Sequence, residues 1–233
     1  MSKHIDTLIE AVFKANLELP VRGLVTFTWG NVSAVDRKQG WIVIKPSGVP
    51  YEKLQVEDMV VTDMDGNIVH GTKRPSSDLA THIALYKGFP GCGSIVHTHA
   101  RNSTAWAQSC TDLPPLGTTH ADYFFGAVPC TRKMTDDEIQ ENYELETGNV
   151  IVETFRTRAI DPEAVPAALV AAHGPFSWGK TPEEALYHAV VLEEIAYMAM
   201  ATMSIRPAIS HMQQTLLDKH FLRKHGKNAY YGQ

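Results

Sequence analysis

The chain has 233 residues, 21 basic and 26 acidic side chains, a net charge of −5 and 44 % hydrophobic content. A chain of that length can bury most of its unfolded surface without disulfide or metal staples, and its mild acidity gives no electrostatic reason for a nucleic-acid or membrane partner. No run approaches the ~20 apolar residues that span a bilayer. Acids interrupt the apolar N-terminus, which excludes a secretory h-region, and Cys92, Cys110 and Cys130 fit no paired or CxxC framework. These features predict a cytoplasmic protein with reduced thiols, one domain spanning residues 1–233.

Ile5, Leu8, Ile9, Val12 and Phe13 recur at helical spacing, predicting an amphipathic first helix that ends before Pro20. β-rich runs follow at Leu24–Trp29, Trp41–Lys45 and Met59–Thr62, and Asp63-Met64-Asp65-Gly66-Asn67 reads as a hairpin turn into Ile68–Val69. Ser76-Ser77 precede a helix with Leu79, Ile83 and Tyr86 on one face, Gly91–Gly93 break it, and Ser94–His99 reads as a buried strand. Thr135-Asp136-Asp137-Glu138 is a capping box, in which a hydroxyl and a carboxylate each satisfy an orphan N–H. Thr181-Pro182-Glu183-Glu184 reads as a second, opening a helix to about Met203. Ala168–Ala172 reads as a strand ending at His173, and a last helix lies near Met212–Lys224.

His97-Thr98-His99 is the sharpest local signal. Residues two apart in a strand share a face, so both imidazoles can converge on one cation, and neutral imidazoles suit zinc, with nickel, cobalt and manganese as near competitors. His173 ends another predicted strand before Gly-Pro, where site residues of α/β folds collect. Asp78 stands in the first turn of its helix, either as an oxygen ligand or as a charge complementing the dipole. The chain has eleven histidines. Of these, His4, His70, His82, His188, His211 and His225 read as surface or helix-face residues, and His120 and His220 stand apart through their polar neighbours.

Three segments offer small hydroxyls and backbone N–H groups to an anion: Gly30-Asn31, Lys45-Pro46-Ser47-Gly48 and Ser76-Ser77. Each also reads as an ordinary turn, strand exit or N-cap. None matches a Walker loop or a dinucleotide fingerprint, which argues against a nucleotide cofactor. Asp122, in the polar and aromatic stretch from Gly117 to Gly126, is a candidate acid or base, or a turn residue. Tyr230-Tyr231 are packing residues or contribute a phenol.

The strings TFTWGNVSAVD, IKPSGV, PSSD, VHTHA, GTTHADYFFG, PCTRKMT, HGPFSWG and DKHFLRKHGKNAYYGQ resemble the L-ribulose-5-phosphate 4-epimerases of the class II aldolase family, in order and spacing from the first helix to the last residue. The resemblance implies a three-layer α/β fold, a central mixed β-sheet flanked by helices on both faces. It implies zinc held by Asp78, His97, His99 and His173. It also implies phosphate contacts from Gly30, Asn31, Ser47, Gly48, Ser76 and Ser77, with Lys45 close by. Asp122 and Tyr231 match the family's acid–base pair, and His220 a residue beside it. The implied assembly is a homotetramer with active sites at subunit interfaces and a sugar phosphate as substrate. Ala171-Ala172 before the third histidine depart from relatives that carry a polar residue there, which leaves open whether arabinose or ascorbate breakdown supplies the substrate.

The implied reaction inverts a carbon whose own C–H is not acidic, so simple deprotonation cannot do it, whereas retro-aldol cleavage and re-addition can. The nearest rival is a true aldolase of the L-fuculose-1-phosphate type, whose branch carries Glu where this chain has Asp78. A non-catalytic zinc or sugar-phosphate binding protein is the remaining alternative, and it gives the acid–base pair no purpose.

Overall fold

The structure is a computed structural model, and it describes residues 3–227 together with 229 and 230. Helix α1 (Lys3–Val21) runs one residue past Pro20 instead of stopping before it. A proline so close to a C-terminus disturbs only the last turn. Strand β1 is Gly30–Asp36, so the expected strand at Leu24–Trp29 is instead an irregular approach in which Phe27 adopts a φ of 52°. β2 (Trp41–Ile44), β3 (Val60–Asp63) and β4 (Ile68–His70) follow as antiparallel neighbours, with the expected turn between β3 and β4.

α2 (Leu79–Gly88) then carries the chain across to β5 (Ser94–Thr98), which pairs with the other edge of β1. α3 (Arg101–Ser109), α4 (Thr118–Ala121) and α5 (Asp136–Thr157) precede β6 (Ala167–Leu169) and β7 (Pro175–Gly179), and α6 (Pro182–Ile205) and α7 (Gln214–His225) complete the order. Both capping threonines accept from the N–H three residues on. The second box is not reciprocal, because Glu184 accepts from the Lys180 N–H, one residue before the cap.

The sheet order is β4-β3-β2-β1-β5-β7-β6. Each strand pairing is antiparallel, and the parallel component expected of a mixed sheet is confined to an isolated bridge between Cys130 and Leu169. The crossover through α2 places β5 parallel to β4 but with three strands between them, so the two never pair. Alternation along the strands sends Ile42, Ile44, Ile95, Phe176 and Trp178 into one core layer with α2 and α5, and Val32, Ala34, Val43 and Val96 into the layer under α1 and α6. The helices on both faces are therefore as expected.

Most polar groups in the core are bonded, while Thr62 Oγ1, His82 Nε2 and Asn31 Oδ1 are buried without a partner. Asn16 of α1, fully buried, donates to Val32 O and accepts from Val32 N, supplying at β1 the bonds that β2 no longer gives beyond its last pair, Ser33–Ile44. Ser33 Oγ lies 2.6 Å from both His82 Nδ1 and Tyr86 Oη. His82 and His188 are buried rather than surface residues, because each packs its helix against the sheet. Cys92, Cys110 and Cys130 are free thiols. No described helix is long and apolar enough to cross a membrane.

Candidate active site

The register of three strands builds the site. Asn31 on β1 stands opposite His97 on β5, and His97 stands opposite Phe176 on β7, so all three side chains share one face. The Phe176 ring stacks on the His97 imidazole at 4.1 Å. Pro175 O accepts from His97 Nδ1 at 3.0 Å. That bond fixes the tautomer and leaves Nε2 as the free donor atom.

His99 follows at the start of the loop into α3. His173 does not end a strand as expected: β6 stops at Leu169, and His173 sits in the turn between β6 and β7, closed by bonds from Val170 N to Gly174 O and from His173 N to Val170 O. The three rings nonetheless meet. Their centroids are 4.9 to 5.1 Å apart, and one ring nitrogen from each lies within 4.8 Å of the others. Burial, reinforced by neighbouring imidazoles, lowers the pKa of His173 to about 3 and that of His99 below its ordinary value. Neutral imidazoles so arranged are the form that binds a divalent cation, and the trio fits one.

Asp78 lies beside this trio and lines the same cavity. It is the N-cap of α2, but its carboxylate makes no capping bond and accepts instead from Asn31 Nδ2 at 2.6 Å. Burial alone would raise its pKa. The imidazoles of His97 and His82, the Asn31 amide and His173 outweigh that and hold the carboxyl below its ordinary value. The side chain therefore faces the site rather than serving its own helix.

The cavity, about 500 Å³, extends from the histidines over the segments expected to bind an anion. Gly30, Asn31, Lys45, Ser47, Gly48, Ser76 and Ser77 all line it. Bonds from Ser47 N to Arg74 O and from Ser76 N to Lys45 O tie two of these segments together. The N–H groups of Ser47 and Ser76 are thus already used, whereas those of Gly48 and Ser77 have no acceptor among the described residues. Gly48 holds a φ of 69°, which an L side chain resists. At Gly30 a Cβ would come within 2.8 Å of His97 O, so only glycine lets β1 approach the metal-site strand this closely.

Lys45 is buried, its Nζ donating to Val49 O at 2.6 Å and lying 4.8 Å from the Tyr51 ring centre, and burial lowers its pKa to about 8. Tyr51 donates to Gly30 O, and burial raises its phenol pKa, so it acts there as a neutral donor.

Four cavity residues escaped the sequence reading: Thr28 and Trp29, just before β1, and Tyr143 and Glu144. α5 breaks at Asn142, with φ −143° and ψ 57°, and the break turns Tyr143 and Glu144 into the cavity, Tyr143 Oη lying 3.3 Å from His173 Nδ1. The signal was hidden because the acidic stretch after Thr135 reads as one unbroken helix.

Asp122 and His220 come together, but away from the histidine trio. Asp122 follows α4 and meets His220 Nδ1 of α7 at 3.0 Å; neither lines the cavity. Tyr231 lies outside the described residues. His120, flagged by its neighbours, is buried and donates from Nε2 to Gly126 O, a structural bond.

Comparison with known proteins matches residues 10–200 to the family described as Class II Aldolase and Adducin N-terminal domain. The L-ribulose-5-phosphate 4-epimerases UlaF of Salmonella paratyphi B and Salmonella paratyphi C are each 56 % identical over 98 % of this chain and 100 % of their own length. Among solved structures, an L-fuculose 1-phosphate aldolase superposes with a TM-score of 0.78 at 21 % identity, covering 94 % of this chain and 96 % of its own. YgbL from Klebsiella pneumoniae, a putative aldolase/epimerase/decarboxylase, gives 0.71 at 24 % identity, covering 94 % and 99 %. These likenesses establish the fold, and the chain belongs to the class II aldolase family.

Proposed function

We propose that this chain is a zinc-dependent isomerase, an L-ribulose-5-phosphate 4-epimerase, acting as one domain over its whole length. The observation that carries the reading is the 56 % identity, over 98 % of this chain, with relatives named for that reaction. The geometry supports it, since a trio of converging imidazoles adjoins a pocket of hydroxyls, free N–H groups and a buried lysine.

His97, His99 and His173 would hold the ion, with Asp78 as the oxygen ligand. A zinc ion there would supply Lewis acidity to a ketose carbonyl and its neighbouring hydroxyl. The chain's own groups do the rest. Gly48 and Ser77 present N–H donors to the substrate phosphate, Ser47 and Ser76 present hydroxyls, and Lys45 supplies charge nearby. Asn31 holds the Asp78 carboxylate and, through its unpartnered Oδ1, accepts from a substrate hydroxyl. Asp122 takes the proton from the C4 hydroxyl as C3–C4 breaks, and Tyr231 returns one on the opposite face after the aldehyde has turned. The retained aldehyde fragment re-adds to give D-xylulose 5-phosphate.

Asp122 and His220 are absent from the cavity wall of their own chain. A second copy that brings them to the histidine trio completes the site; this supports a homo-oligomer with active sites between subunits, which on the family resemblance is a homotetramer. The Asp at position 78, shorter than the Glu of the aldolase branch, favours a ligand role over a base and so favours epimerisation over fragment release.

Removal of metal tests the reading. Chelated protein should lose conversion of L-ribulose 5-phosphate and regain it with zinc; conversion indifferent to chelation would contradict a zinc-dependent epimerase.

A further inference from the structure

The Asp122 carboxylate is held on several sides by α7. His220 Nδ1 donates to Oδ1 at 3.0 Å, Arg223 Nη2 lies 3.0 Å from Oδ1 and 3.1 Å from Oδ2, and Lys224 Nζ stands 3.7 Å from Oδ2. Lys224 Nζ also lies 4.1 Å from the centre of the Tyr123 ring, whose hydroxyl meets that of Tyr187 at 2.6 Å. His225 bonds the Asp122 carbonyl at 2.9 Å, which ties the backbone of the same residue to the same helix. Side-chain exposures of 14 % for Asp122 and 21 % for Arg223 take this pair out of the surface class of ion pairs worth little.

A carboxylate has about four acceptor positions. The three bonds from His220 and Arg223 occupy three of them, and the remaining one is on Oδ2. Arg223 is the group that touches both oxygens, so it fixes the plane of the carboxylate and the direction of that last lone pair. A lysine in its place would keep a charge but not the planar donor geometry.

We infer that Arg223 is a positioning residue, which orients Asp122 so that the free acceptor of Oδ2 faces the C4 hydroxyl of the substrate. The inference rests on the epimerase reading above, because it needs Asp122 to be the proton acceptor. In this role Arg223 acts through Asp122 rather than on the substrate.

A kinetic double-mutant cycle on the zinc-loaded full chain tests this, using Arg223→Ala, Asp122→Asn and the double variant, with zinc content and assembly state measured for each. Arg223→Ala should lower kcat about 10- to 100-fold, as loss of an outer supporting group does, with KM changed less than about threefold. In the Asp122→Asn background the same change should cost less than about twofold, since the group it acts through is gone. Arg223→Lys should restore only part of kcat, and added guanidinium should rescue Arg223→Ala where methylammonium does not. Losses that multiply in the double variant, or a rise in KM at unchanged kcat, would overturn the positioning role. A wild-type protein that does not convert L-ribulose 5-phosphate would overturn the epimerase reading and this inference with it, whereas wild-type turnover with multiplicative losses overturns this inference alone.

Discussion

Asn31 donates its side-chain amide to Asp78 at 2.6 Å, joining the first residues of β1 to the N-cap of α2 across 47 positions of sequence. The bond is partly buried and charge-assisted, which places it among the stronger hydrogen bonds. Replacing Asn31 with Ala removes the short bond and leaves the carboxylate held only by the longer one from Ser76 Oγ at 3.4 Å. Activity should fall about 10- to 100-fold, as for other supporting groups of metal sites. Zinc retention during dialysis against a weak chelator, measured by elemental analysis, should fall as well.

The histidine trio and Asp122 predict opposite zinc behaviour. His97→Asn should empty the site, because it removes the ligand whose tautomer is fixed by Pro175 O. Asp122→Asn should keep its full zinc content while turnover drops by about 10²-fold or more. Zinc lost from the second variant would make Asp122 structural instead.

If each site takes its imidazoles from one copy and Asp122 from another, two inactive variants complement. Refolding or exchanging His97→Asn with Asp122→Asn subunits should restore about a quarter of wild-type activity, the share of interfaces that pair two intact halves in a cyclic assembly. Mixtures that stay inactive while forming mixed oligomers would place both halves in one chain.

Gly30 tests the close packing behind the site. A Cβ there meets His97 O and Val25 Cγ1 at 2.8 Å, a main-chain atom on one side and a branched side chain on the other. Gly30→Ala should destabilise the fold by about 1 to 3 kcal/mol, the usual cost of overpacking, and weaken metal binding because β5 must shift. Thermal unfolding and zinc titration measure the two effects.

Buried His120 gives a pH prediction with a definite sign. Burial chiefly, and His211 to a smaller degree, lower its pKa from 6.5 to about 4, while its bond to Gly126 O partly opposes them. The folded state therefore binds this proton less readily than the unfolded chain. The stability contributed is complete above pH 6.5 and is lost as pH falls toward 4, to roughly 3 kcal/mol in all. His120→Gln should flatten that part of the unfolding profile, narrowing the gap in melting temperature between pH 7.5 and pH 5.

The sequence made the local parts of this site legible, while the distant parts depended on backbone geometry. His97-Thr98-His99 was readable because a strand has a period of two, and Ser76-Ser77-Asp78 because a helix start is marked by its residue types. The turn that carries His173 was not, since Ala172 with a φ of 61° has no composition signal, and an alanine-rich run reads equally well as strand. Nothing in the residues around Asn142 announces the break that brings in Tyr143 and Glu144. Leu24–Trp29 has the composition of a strand but lies beyond the antiparallel register that starts at Gly30 and Thr98. The separation of Asp122 from the histidines is a tertiary fact that no local residue pattern carries.

The most direct measurement is the product balance from L-ribulose 5-phosphate over zinc-loaded protein, with D-xylulose 5-phosphate and glycolaldehyde phosphate assayed together. An epimerase that retains its fragment gives xylulose 5-phosphate with little free glycolaldehyde phosphate. Accumulation of the free fragment would make the chain an aldolase, and neither product from fully loaded protein would contradict the assignment.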